Sequence, residues 1–135
     1  MAYSIVVIEG VGEVYAEKLQ AVGIKTTAAL LAKCATPKGR QELAEATGIS
    51  DKLILKWTNH ADLMRITGIA GQFAELLEAS GVDTVKELKH RVPANLKAKM
   101  DEVNAEKKLV RRVPNLPEVE KMVAQAKELE AVITY

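Results

Sequence analysis

Basic side chains are concentrated in one segment of the chain, from Lys86 to Arg112. This segment holds nine lysine and arginine residues and four acidic ones, a local charge of +5, whereas the whole 135-residue chain carries only +1. A segregated positive charge attracts the phosphates of a nucleic acid, although a solvated helix face is the commoner reason for such a run. The segment therefore favours a polyanionic partner without requiring one.

Residues suited to catalysis or metal binding are sparse. His60 and His90 stand alone, and Cys34 is the single cysteine, so no zinc-ligand spacing and no internal disulfide is available. The sequence also lacks a nucleophile signature and a phosphate loop of the GxxxxGK type. We predict a protein that is not an enzyme, with no metal site, no cofactor, and a buried Cys34 in a reduced, cytoplasmic setting.

The chain repeats itself. The stretch "IEGVGEVYAEKLQAVGIKTTAALLAK" starts at Ile8, "ITGIAGQFAELLEASGVDTVKELKHR" starts at Ile66, and the two coincide at nine positions when shifted by 58 residues. At a shift of 56, Pro37 falls on Pro93 and Gly48 on Asn104. Glycine and asparagine both tolerate a left-handed backbone, so this last match predicts equivalent turns.

Helical periodicity dominates between the turns, and the aromatic content of 4% suits packed helices. We predict an all-α chain that forms one domain over 1–135, with repeats at 5–64 and 65–117 and a last helix at 118–133. Expected helix caps are Thr26 or Thr27, Ser50 or Asp51, and the pair Asp83-Thr84. The apolar stretch from Tyr3 to Ile8 is too short to be assigned as a strand. The run from Ile5 to Ile8 has no basic region before it and no cleavage-site pattern, so it predicts neither a signal peptide nor a membrane span.

The stretch from Ile8 to Leu19 reads apolar-x-Gly-apolar-Gly-x-x-x-Ala-x-x-Leu and resembles the helix-hairpin-helix motif. The resemblance implies a SAM-like, helix-hairpin-helix architecture in which the glycines reverse the backbone between helices. It also implies that free N–H groups at a helix start hold the DNA backbone without reading bases, and that a hairpin can bind a monovalent cation. The hairpin glycines are Gly10, Gly12, Gly68 and Gly71.

The chain as a whole is similar to the bacterial family called domain of unknown function 4332. The resemblance is carried by "TGISDKLILKW", "ADLMRITGI", "GVDTVKELKHRVPANL" and "KLVRRVPNLPEVEKMVAQAKEL". Tandem helix-hairpin-helix units are attributed to that family, so the match implies the fold more directly than the function.

The hairpins differ in whether the residues that follow them carry a charge that attracts a phosphate. Glu13 follows the first glycine-rich hairpin and would repel one, whereas basic residues follow the turns predicted at Gly48 and Asn104. If the chain binds DNA, the expected contact residues are Gly48, Ser50, Lys52, Lys56, Asn104, Lys107, Lys108, Arg111 and Arg112. The acidic residues Asp51 and Glu106 lie next to these basic residues and weaken the case for phosphate binding.

Three functions remain open at this point. The first is sequence-independent binding of the DNA backbone, with double- or single-stranded preference undecided. The second is a helical adaptor that binds another protein, which the near-neutral charge favours. The third is a domain that only lends contacts within a larger assembly or beside an enzyme. The sequence predicts no membrane partner and leaves the oligomeric state open.

Overall fold

The computed structural model describes residues 3–135, so the first two residues of the predicted domain lie outside it. Eight α-helices follow a short 3-10 turn at Ile5–Val7. They are α1 (Glu13–Ala21), α2 (Thr27–Cys34), α3 (Pro37–Thr47), α4 (Asp51–Leu63), α5 (Gly71–Ala79), α6 (Val85–Leu88), α7 (Pro93–Lys107) and α8 (Leu116–Glu128). Within residues 3–135 the only β pairing is an isolated antiparallel bridge between Ser4 and Thr26. The all-α prediction is confirmed.

Side-chain caps start α2 and α4 where they were expected. Thr26 accepts a hydrogen bond from the Ala29 amide at 3.0 Å, and Ser50 accepts one from the Leu53 amide at 3.3 Å. Each satisfies a backbone donor that the first turn of a helix leaves free. Of the paired alternatives for α2 and α4, the caps are therefore Thr26 and Ser50.

The helices enclose one continuous apolar core to which all eight contribute. In the first half α4 packs against α2 and α3, and in the second half α8 packs against α6 and α7. Trp57 is buried on α4, as predicted, and Tyr15 meets its ring edge-on with the centroids 5.1 Å apart. Cys34 is also buried and free, as expected. None of the described helices combines the length and apolarity that crossing a membrane requires.

The predicted turn at Asn104 is wrong. The α7 helix continues through Asn104 to Lys107, and the left-handed residue is Lys108, with φ of 52°. Nothing between 94 and 107 breaks a helix, because this stretch has no glycine or proline and is rich in alanine and lysine. Residues 108–115 then form a non-helical connection to α8.

The last helix is also shorter than predicted. It ends at Glu128, and residues 129–135 run back across the first half of the chain. Basic side chains bond to the backbone carbonyls of this segment: Arg40 to Thr134 at 2.8 Å, Arg65 to Glu130 at 3.0 Å and Lys89 to Leu129 at 2.8 Å. These bonds and the buried Ile133 hold the segment against the rest of the chain in a non-helical conformation.

Candidate nucleic-acid interface

Three of the predicted contact residues form an exposed basic cluster at the end of α7. Lys107, Lys108 and Arg111 are all exposed, and none of the ion pairs found within residues 3–135 involves them. Their charges are therefore available to an external anion. We refer to these three residues as the α7-end cluster.

Asn104 has a different role from the one predicted. Its side-chain amide donates to the Val110 carbonyl at 3.0 Å, and its side-chain oxygen accepts from the Val110 amide at 2.9 Å. This two-way bond closes the chain into a loop around Lys108 and anchors the buried Val110 against the core. Asn104 thus fixes the backbone that presents the α7-end cluster, and its own polar groups are already bonded.

Arg112, the fourth predicted cation here, is paired with an acid. Two of its guanidinium nitrogens lie 2.8 and 2.9 Å from the Glu118 carboxylate oxygens. The Arg112 hydrogen bonds, followed by a bond from the Asn115 amide, lower the pKa of Glu118 to about 2. Asn115 and Glu118 also form a capping box at the start of α8, with reciprocal bonds of 2.9 Å. The N-terminus of α8 is thus capped by the protein's own side chains.

The other predicted cluster lies where α3 meets α4. Gly48 has φ of 73° and ends α3, while Ser50 caps α4 as described above. Lys52 is exposed on the first turn of α4, but the Lys56 ammonium lies 3.7 Å from carboxylate oxygens of both Glu75 and Glu78. No hydrogen bond or ion pair within residues 3–135 connects this cluster to the α7-end cluster.

The four hairpin glycines fall into three types. Gly10 and Gly68 have φ of +92° and +89°, values that side chains rarely adopt, so the backbone reversal needs glycine there. Gly71 has no space for a side chain because a Cβ would collide with the Val7 carbonyl oxygen. Gly12 has φ of −79° and open space around it, so neither conformation nor packing requires glycine. It is exposed at the start of α1, which has no side-chain cap.

One groove is lined by residues from two predicted sets, the hairpin glycines and the DNA-contact residues. It has a volume of about 360 Å³, and Gly68 of the second glycine-rich hairpin and Arg112 both line it. The Thr67 amide donates to the Gln125 side chain at 3.1 Å and so ties this hairpin to α8. Lys121 also lines the groove and was not predicted from the sequence, because its contribution depends on how α8 packs against the hairpin.

A second group that the sequence did not reveal lies between α4 and α5. His60 is fully buried, and its Nε2 lies 2.8 Å from a Glu78 oxygen and 4.0 Å from a Glu75 oxygen. The prediction that His60 stands alone is therefore wrong. The one-turn spacing of Glu75 and Glu78 places both carboxylates on one face of α5, but only the packing of α4 against α5 supplies the imidazole.

Comparison with known proteins gives a family but no characterised relative. No curated protein and no solved structure matches the chain. Residues 9–129 match the family described as "Domain of unknown function (DUF4332)". This match takes in all eight α-helices and leaves out the 3-10 turn that precedes them. The chain belongs to the family of domain of unknown function DUF4332.

Proposed function

We propose that this protein binds the sugar-phosphate backbone of DNA without reading its base sequence. The observation that carries the proposal is the α7-end cluster, in which three exposed cations lack an acidic partner within residues 3–135. Such cations neutralise phosphates and release the counterions condensed on them. Contacts of this kind position a protein on a nucleic acid but carry no base information.

We further propose that the chain consists of two tandem pairs of helix-hairpin-helix units, α1–α4 and α5–α8. Corresponding glycines support this, since Gly23 and Gly81 have φ of +88° and +93°, alongside the Gly10 and Gly68 pair. In this scheme α8 is the counterpart of α4. Both have 13 residues, both start at a side-chain cap, and both pack on the second and third helices of their own half. The second unit then extends beyond residue 117 to include the helix that was predicted as an addition.

The phosphate contacts in this proposal differ from those expected from the sequence. Lys107, Lys108, Arg111 and Lys52 provide charge, while Lys56 and Arg112 are held by acids. The uncapped start of α1 at Gly12 supplies free backbone N–H groups, in contrast to α4 and α8, whose first turns are capped by side chains. Glu13 limits how strongly that helix start attracts an anion.

The monovalent cation that the resemblance implies would be bound by hairpin carbonyls. The Ile8 carbonyl accepts a hydrogen bond from the Val11 amide at 3.1 Å, and the Ile66 carbonyl accepts one from Ile69 at 3.1 Å. Each carbonyl oxygen has a second lone pair for a cation. The cation is part of the proposal for both glycine-rich hairpins.

The salt dependence of DNA binding tests this function. Fluorescence anisotropy of a labelled random duplex is measured from low to near-physiological salt. If Lys52, Lys107, Lys108 and Arg111 each contact one phosphate, we expect log affinity to fall with log salt at a slope of about −3.6. An unrelated duplex of equal length should bind equally well. Absence of binding at low salt, or strong preference for one sequence, would contradict the proposal.

A second candidate function has its own observation. Val6, Val14 and Val22, which lie in or next to α1, are 52, 66 and 44% exposed, and such apolar side chains are available for contact with a protein partner. Under this alternative the chain is an adaptor. The test compares proteins retained from a cell lysate by the wild type and by Val14→Asp. A protein retained only by the wild type, together with absence of DNA binding, would favour the adaptor.

A further inference from the structure

His60, Glu75 and Glu78 form a compact set of metal-ligand types that belongs to none of the surfaces described above. The Nε2 atom of His60 and one carboxylate oxygen from each glutamate all lie within 4.8 Å of one another. His60 comes from α4, and the two glutamates come from successive turns of α5. We propose that these three side chains bind a divalent transition-metal ion of the zinc type.

The distances suit such an ion after small side-chain movements. Zinc binds imidazole nitrogen and carboxylate oxygen at about 2.0–2.2 Å, which places tetrahedral ligands about 3.3–3.6 Å apart. The His60 nitrogen lies 2.8 Å from Glu78 and 4.0 Å from Glu75, on either side of that range. Both glutamates are partly exposed, with 23 and 27% of their side chains accessible, so they are free to adjust while the ring stays fixed.

The charge balance of the group also favours binding of a divalent cation. Two carboxylates face one ammonium, that of Lys56, which lies 3.7 Å from each of them. The Lys56 side chain is 39% exposed, so it can turn towards solvent when a metal ion takes its place. Lys56 thus competes with a metal for the same two carboxylates.

The buried imidazole separates this group from an ordinary acidic surface patch. The side chain of His60 is 0% exposed, its Nε2 is directed at the carboxylates, and its Nδ1 has no hydrogen-bond partner in residues 3–135. An imidazole favours zinc-like ions over Mg²⁺ and Ca²⁺, which prefer oxygen ligands throughout. The partly exposed glutamates leave one side open for a water molecule as the fourth ligand.

The unpartnered Nδ1 sets the strength of the site. When Nε2 binds a metal, the imidazole proton resides on Nδ1, where zinc sites usually supply a carbonyl or carboxylate acceptor. The absence of such a partner within residues 3–135 lowers metal affinity by about 10- to 100-fold. We therefore expect a moderate affinity, compatible with a reversibly bound ion.

Titration of the purified, chelator-treated protein with Co²⁺ and Zn²⁺ tests this inference. Co²⁺ in a site of this kind gives visible absorption bands, and isothermal titration calorimetry gives the stoichiometry and affinity for Zn²⁺. We expect one ion per chain, little heat from Ca²⁺, and about tenfold or greater weakening in Glu75→Gln and Glu78→Gln. Lys56→Met should strengthen binding because it removes the competing ammonium.

Glu106→Gln is the matched control, since it removes an exposed carboxylate of α7 that lies outside the group. The glutamine variants keep the size of the side chains and one acceptor oxygen, and circular dichroism verifies that they fold. Unchanged Zn²⁺ binding in both glutamine variants, or no binding by the wild type, would overturn the inference. None of these measurements involves DNA, so the result is independent of the proposed function.

Discussion

The carboxylate of Asp62 on α4 accepts a hydrogen bond of 2.8 Å from the backbone amide of Val85, the first residue of α6. Asp62 is 2% exposed, and its other oxygen bonds to Arg65 at 2.8 Å. Thr84 occupies the N-cap position of α6 without making a side-chain cap bond. The N-terminus of the short helix α6 in the second half is thus capped by Asp62 from the first half.

Asp62→Ala should therefore lower the free energy of unfolding by about 2–3 kcal/mol, because it leaves a buried backbone donor without its acceptor and removes one of the two acceptors of Arg65. Urea unfolding at neutral pH measures the change. Asp83→Ala is the control: Asp83 belongs to the pair predicted to cap α6, and we expect its removal to change stability by less than about 0.5 kcal/mol. Equal losses in the two variants would contradict the role of Asp62.

Gly12 and Gly71, which belong to the two glycine-rich hairpins, should respond differently to replacement by alanine. Gly71→Ala places a methyl group against the Val7 carbonyl, which we expect to cost about 1–3 kcal/mol despite the better helix propensity of alanine. Gly12→Ala enters open space at an ordinary φ and should be neutral or slightly stabilising. Thermal unfolding of the two variants gives the comparison, and a larger loss at Gly12 would refute it.

Acid should weaken the start of α8. The pKa of Glu118 lies at about 2 in the folded chain, below the ordinary 4.5, because Arg112 and the Asn115 amide bond to its ionised form. The bond is therefore fully stabilising above pH 4.5, and its contribution is lost as the pH falls towards 2. Glu118→Gln should show less loss of stability over that interval than the wild type. If the unfolding temperatures of the wild type and of Glu118→Gln fell in parallel with pH, the pairing of Arg112 with Glu118 would be contradicted.

Local signals accounted for much of the fold. Helical periodicity, the caps at Thr26 and Ser50, and the positive φ at Gly10 and Gly68 all act within a few residues, where sequence patterns are informative. The error at Asn104 arose because asparagine is suited to two roles. It tolerates a left-handed backbone at a turn, and its side chain also forms hydrogen bonds that connect a helix to the loop that follows it. Only the bond to Val110 distinguishes the two.

The candidate sites depended more on tertiary contacts. Whether a lysine is available to an anion depends on the acids around it, and sequence order gave no indication that Lys56 faces Glu75 and Glu78. The same limit applies to His60, which meets those glutamates only because α4 packs on α5. Lys107, Lys108 and Arg111 were predicted to follow a turn at Asn104, whereas the structure places the left-handed residue at Lys108.

A charge-reversal comparison is the sharpest test of DNA binding by the α7-end cluster. Lys107, Lys108 and Arg111 are replaced together by glutamate, and the control variant carries Lys18→Glu, Lys25→Glu and Lys38→Glu. All six residues are exposed and outside the ion pairs of the described chain, and both variants undergo the same change in net charge. Circular dichroism establishes that each variant folds, since a lysine at a helix end also stabilises that helix.

The measurement is affinity for a labelled random duplex across a range of salt concentrations. We predict that reversing the α7-end cluster weakens binding at least about tenfold more than the control does. The salt slope should also become shallower by about one for each phosphate that the variant no longer neutralises. Equal weakening in both variants would show that only net charge matters and would contradict the α7-end cluster as the DNA-binding site.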